Sequence, residues 1–162
     1  MIDETRGGLD ALETHLSELS SWCDLIEAIA DFLPCHVDEG LCRTLTRDLV
    51  PLLVRIHQLE ETSVDRHPAL AISVPAPRDE EQRRISDRLE QRDMAERAVK
   101  VLCDLSRGRS SLSADAIAYA LRSFCCPARR HIKEERQLIG EIRQAIAVPS
   151  LVSDAKLTPA GA

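Results

Sequence analysis

An all-α fold, a single up-down-up-down four-helix bundle, is what this sequence predicts, and three observations carry that expectation. Four stretches repeat apolar residues in alternating steps of three and four, the period of a helix buried along one face. Pro- and Gly-bearing connections separate them, and most are short, which favours neighbours that run antiparallel. Aromatic residues make up only 2% of the chain, too few for the aromatic and β-branched strands of a sandwich or barrel.

With 162 residues the chain is long enough for one domain with a real core. The scarcity of aromatics speaks against a stacking surface for single-stranded nucleic acid. A net charge of −6 speaks against phosphate-backbone binding, so no nucleic-acid partner is expected. No apolar run suits a signal peptide or a membrane span, and the expected location is cytoplasmic, with no membrane partner. The six cysteines form no CxxC pair and read as free thiols. Cys125-Cys126 reads as an inert neighbour pair, because a vicinal disulfide is strained.

Residues 1–8, with Gly7-Gly8, read as a frayed start. Helix 1 follows from Leu9, its seam running Leu12, His15, Leu19, Trp22, Ile26, Ile29 or Ala30, and Leu33, until Pro34 stops it. Asp38 is placed to cap helix 2, which runs from Glu39 to Val64 with Leu45, Leu49, Leu53, Ile56 and His57 on one face. Pro51 should kink or divide it. Residues 65–80 carry three prolines and form the longest loop; His67 within it, and His36 in the first connection, are expected in solvent.

Helix 3 is predicted from about Asp79 to Ser106, with an apolar stripe of Met94, Ala98, Val101, Leu102 and Leu105. Stepping that stripe backward lands on Gln91 and Asp87 and leaves Leu89 and Ile85 outward, where they could meet a protein partner or a second copy. A buried Asp87 would need a cation, a metal or a hydrogen-bond network. Ser113 caps helix 4, whose seam runs Ala120, Phe124, Ala128, His131, Glu135, Leu138 and Ile142, with a kink expected at Pro127. The bundle is bounded at residues 1–148, and residues 149–162 are expected to be a disordered tail.

Two spacings then stand out. His57 is followed four residues later by Glu61, and His131 by Glu135. Four residues is just over one helical turn, so each pair leaves one face of its helix. Two such pairs on different helices, pointing into one bundle, make a site for two metal ions bridged by carboxylates. One isolated pair means little, since charged helix faces are common. In an up-down-up-down bundle, however, His15, His57 with Glu61, Asp87 with Gln91, and His131 with Glu135 all fall at the same end, so the polar breaks in the apolar seams share one layer.

From Leu9 to Ile142 this pattern resembles the hemerythrin-like proteins, the HHE cation-binding family. The residues that carry the resemblance are His15, His57 with Glu61, an acidic helix 3, and His131 with Glu135 in HIKEER. It implies a di-iron centre inside the bundle, with His57, His131 and His15 as terminal ligands and Glu61 and Glu135 as bridges. An open coordination position there would take a small diatomic ligand, O2 or NO. The chain departs from the family on helix 3, where no His lies between His67 and His131, so Asp87, Glu90 or Gln91 would have to replace it. It departs again after Glu61, where Thr62-Ser63-Val64 stands in place of a hydrophobic and aromatic pair.

The function expected is therefore a non-haem di-iron protein that binds or senses O2 or NO, or handles iron. No nucleophile–base motif and no phosphate loop points to an enzyme, although a catalytic di-iron activity is not separable from sensing at this level. The alternative is a metal-free or partly metallated helical scaffold or regulator that has lost part of the site.

Overall fold

The computed structural model describes residues 2–67 and 77–154, and among these there are helices and no strands. Four long helices account for nearly all of them: α1 (Ile2–Phe32), α2 (Glu39–Leu59), α3 (Pro77–Ser106) and α4 (Ala114–Asp154), with a π-helical segment (Glu60–Asp65) continuing α2. Each helix packs on two others, α1 on α4 and α2, and α3 on α2 and α4. The arrangement is compatible with a four-helix bundle. No helix among the described residues is long and apolar enough to cross a membrane.

Among the described side chains of α1 the buried ones are Leu9, Leu12, Leu16, Leu19, Cys23, Ile26, Ile29 and Ala30. They alternate three and four, as expected, but in the other register at two points: Leu16 and Cys23 turn inward where His15 and Trp22 were expected. Both registers satisfy the period. The one adopted buries apolar groups instead of an imidazole, which would need a partner inside. The helix begins at Ile2, within the stretch 1–8 expected to precede it. Gly8 lies against the π segment, where an added Cβ would collide with Ser63 Oγ.

Helix α2 is capped as predicted, the Asp38 carboxylate accepting the Leu41 N–H at 2.6 Å. Pro51 lies inside it without dividing it. The ring is on the exposed face, where water can take the carbonyl that loses its donor. Beyond Leu59 the predicted α-helix gives way to the wider turn of the π segment. There the Thr62 hydroxyl donates to the carbonyls of Gln58 and Leu59 at 2.9 and 3.3 Å. His67 is half-buried rather than solvated, and His36 is exposed.

Helix α3 buries Gln91, Ala95, Ala98 and Leu102 and leaves Ile85 and Leu89 outward. It ends at Ser106, and Gly108 two residues on has a left-handed φ of 63°. Glycine takes that conformation without Cβ crowding, and it lets Gly108 and Arg109 donate back to Leu105 and Asp104. The Ser113 side chain accepts the Ala116 N–H at 3.2 Å and so caps α4. Pro127 does not interrupt α4, and the helix continues through Pro149 to Asp154, past the expected start of the tail. The remainder of that tail, 155–162, lies outside the described residues.

A ladder of ion pairs joins α4 to α1. Arg122 reaches Asp31, Arg129 reaches Glu27 and Asp24, and Arg143 reaches Glu13 and Asp10. Numbers rise on α4 as they fall on α1, so these two helices are antiparallel. Exposed pairs of this kind contribute only about 0–1 kcal/mol each, so their effect is on register more than on stability.

Candidate metal centre

Between the π segment, α3 and α4 lies a buried polar cluster in an otherwise apolar interior. Four polar side chains are nearly inaccessible: Glu60 (0%), Glu135 (1%), His57 (8%) and Gln91 (9%). His131 is close behind, with its side chain 12% exposed. Charged groups this deep require partners, and most of the partners are found within the cluster.

His131 donates from Nε2 to Glu60 Oε1 at 2.6 Å. The other Glu60 oxygen accepts from Arg88 Nε at 2.9 Å. Arg88 Nη2 reaches one oxygen of Asp65, and Arg84 Nε reaches the other at 2.6 Å. Arg84 Nη2 then donates to Glu135 Oε1 at 2.7 Å. The chain of contacts therefore runs His131, Glu60, Arg88, Asp65, Arg84, Glu135. Two of its carboxylates, Glu60 and Asp65, come from the π segment. His57 stands beside it, its ring edge-on to His131 with centroids 6.5 Å apart, and donates from Nε2 to Gln91 Oε1 at 3.2 Å.

The ionisation behaviour follows from these contacts. Burial works to raise the Glu60 carboxyl, but the hydrogen bond and charge of His131, with His57 and Arg88, outweigh it and hold the group at about 2. Burial works to lower His131, and the Glu60 contact with the nearby Glu135 charge reverses that, so His131 is raised. Both shifts favour the charged pair, His131 protonated and Glu60 ionised. His57 is lowered by its burial despite Glu60 and Gln91. Glu135 is raised, first by burial and then by the Glu60 charge, with Arg84 opposing.

The residues singled out from sequence divide into two groups. His57, His131, Glu135 and Gln91 come together here. His15, Glu61, Asp87 and Glu90 do not. His15 is partly exposed and its ring nitrogen lies 3.3 Å from Glu18, on its own helix. Glu61 is exposed and pairs with Arg66 at 2.9 Å; its expected place is taken by Glu60. Both the third and fourth residues after His57 lie near its face, and the π turn brings Glu60, not Glu61, inward. Asp87 is exposed and pairs with Arg83 at 3.3 Å, and Glu90 is exposed as well. On α3 the inward positions above Gln91 belong to Arg88 and Arg84. Their length lets the guanidinium reach buried carboxylates from the bundle edge, so apolar periodicity gives them no signal. The one trace in the sequence is their own spacing of four residues.

Glu60, His131 and Glu135 each offer one ligand atom, and these atoms all lie within 4.8 Å of one another. Among the described residues Glu135 Oε2 is buried without a hydrogen-bond partner. A buried carboxylate oxygen left unpaired is costly, and a cation supplies what it lacks. Imidazole nitrogen with carboxylate oxygen is a donor set suited to iron or zinc, so the residues fit a metal ion. A cleft between α3 and α4, lined by Asp87, Glu90, Gln91, Met94, Arg130 and His131 among others, opens the cluster to solvent at His131. Comparison of the chain with family models, with curated proteins and with solved structures finds no match.

Proposed function

We propose that the protein is a hemerythrin-like, up-down-up-down helical bundle of the cytoplasm that holds one metal ion of the iron class at Glu60, His131 and Glu135. Its role on this reading is to bind or sense O2 or NO, or to handle iron, rather than to turn over an organic substrate. The observation that carries it is the unpartnered Glu135 Oε2, buried within reach of His131 and Glu60.

One ion is favoured over the pair that the resemblance implies. A bridging carboxylate uses one oxygen on each metal. Here the second oxygens of Glu60 and Glu135 are already held by Arg88 and Arg84, so the guanidinium groups stand where a second cation would have to be. The arginines also offset the negative charge that a single ion would leave uncompensated. His131 must give up its Nε2 proton to become a ligand, and His57 lies close enough to steady its ring. Bound at these residues, ferrous iron would supply the chemistry for taking up a diatomic ligand, and the α3–α4 cleft reaches the site at His131.

A second reading has its own support. Glu60, Asp65 and Glu135 are matched in charge by Arg84, Arg88 and a protonated His131, so the cluster is balanced without metal. That favours a metal-free scaffold or regulator. Anaerobic purification with Fe(II), followed by metal analysis and melting with and without a chelator, separates the two. About one iron per chain and a lower Tm on chelation are expected, because metal binds only the folded site. Less than half an iron per chain, with Tm unmoved, would leave the scaffold reading standing alone.

A further inference from the structure

Away from the carboxylate cluster, α1 and α4 bring two thiols together. Cys23 and Cys125 are each fully buried on two helices that pack against one another. The Cys125 thiol donates to the Cys23 carbonyl oxygen at 3.8 Å, from one helix to the other. One turn further along α4, Arg129 reaches across to Glu27 and Asp24 at the same level of α1, which fixes the two helices in register and sets a guanidinium beside the sulfurs. Cys126 and Cys35, by contrast, are exposed.

We infer that Cys23 and Cys125 form a dithiol–disulfide couple that ties α1 to α4, with a small peroxide as oxidant. The bland alternative is two cysteines that merely fill space in the core. What sets this pair apart is that one buried thiol reaches the backbone of the other cysteine across two different helices. The two sulfurs are also unequal. The hydrogen bond from Cys125 lowers the Cys23 thiol against its burial, with help from the Arg129 charge, while the same contact and burial push Cys125 up. These directions favour Cys23 as the sulfur that attacks first.

Cys23 sulfur attacks one oxygen of hydrogen peroxide and the O–O bond breaks. The departing hydroxide leaves as water with the Cys23 thiol proton, and Cys23 becomes a sulfenic acid. Cys125 sulfur then attacks Cys23 sulfur. The S–S bond forms, the S–O bond breaks, and a second water carries off the Cys125 proton. Two thiols and one peroxide give one disulfide and two waters, with two electrons passing from sulfur to peroxide. Burial of both sulfurs selects an oxidant of about the size of water over bulky disulfide reagents. Closure brings the two sulfurs to about 2.05 Å.

The test uses the full chain. Exposed thiols are blocked on the native protein with iodoacetamide, hydrogen peroxide is added, and the protein is unfolded, alkylated with a reagent of different mass, digested and mapped. The expected result is a linked peptide pair joining Cys23 to Cys125, lighter by two hydrogens than the reduced pair and cleaved by dithiothreitol. The oxidised protein should also melt several degrees higher. Cys23→Ser should leave Cys125 as a free thiol under the same treatment; if that variant does not fold, the wild-type map still decides. Recovery of Cys23 and Cys125 as free thiols after excess peroxide would overturn the inference. So would either one linked to a different cysteine, or a link that forms only in denaturant.

Discussion

Arg84 Nη2 lies 2.7 Å from Glu135 Oε1, while among the described residues the other oxygen of that carboxylate meets no partner. One half of a buried carboxylate is thus neutralised by α3 and the other half is left to whatever enters between α4 and the π segment. The guanidinium also contacts Asp65 at 2.6 Å, so it joins an acid of the π segment to one of α4.

Removing that guanidinium should be costly. Arg84→Ala leaves a 1% exposed carboxylate short of its counter-ion, and breaking a buried pair from one side costs roughly 3–5 kcal/mol. The Arg84 side chain is itself 16% exposed, which screens part of the effect, so a loss of about 3 kcal/mol is expected from urea unfolding. A loss below about 1 kcal/mol would mean that water replaces the arginine freely.

Glu60 and Glu61 provide an internal control. Glu60→Gln breaks contacts to His131 and Arg88 and should lower stability by about 2–4 kcal/mol. Glu61→Gln touches only a surface pair with Arg66 and should stay within about 0.5 kcal/mol. Equal effects in parallel denaturation curves would contradict the inward placement of Glu60.

The same pair sets a pH window. His131 is raised when folded, so its contribution is complete below the unfolded value of about 6.5 and is lost as pH rises through the folded value. Glu60, held at about 2, contributes above its unfolded value of about 4.3 and loses that contribution as pH falls toward 2. The wild-type protein should therefore exceed His131→Gln in stability most clearly between about pH 4.3 and 6.5. His57 and Glu135, which shift the other way, remain in both proteins, so the difference between the two profiles is the quantity to read. A difference that grows above pH 8 would refute the ion-pair assignment.

Metal affinity should show the opposite slope. Metal and proton compete for His131 Nε2, so Fe(II) or Zn(II) affinity is expected to rise with pH through the raised His131 value. At a free metal concentration a hundredfold above Kd, the protein should gain about 2.7 kcal/mol. Titration calorimetry at several pH values checks this, and Glu135→Gln should abolish the heat of binding while leaving the chain folded.

Much of this molecule is written in local pattern. The three-and-four alternation of α1 and α4, the Asp38 and Ser113 caps and the outward Ile85 and Leu89 follow from periodicity and capping chemistry, which depend on a few neighbouring residues. The same reasoning brought His57, His131, Glu135 and Gln91 to one place, because each sits on or beside an apolar stripe.

What local pattern left open was decided by contacts between helices. His15 or Leu16, Glu60 or Glu61, and Asp87 or Arg88 are pairs in which either member satisfies the helical period. The choice fell to packing: Leu16 fills the α1 seam, the π turn carries Glu60 against His131, and Arg84 and Arg88 reach in from α3 because Glu60, Asp65 and Glu135 on two other elements require positive charge. A side chain's partner across the core lies tens of residues away in sequence. The charge balance that fixes which residue turns inward is therefore a property of the assembled interior, not of any single helix.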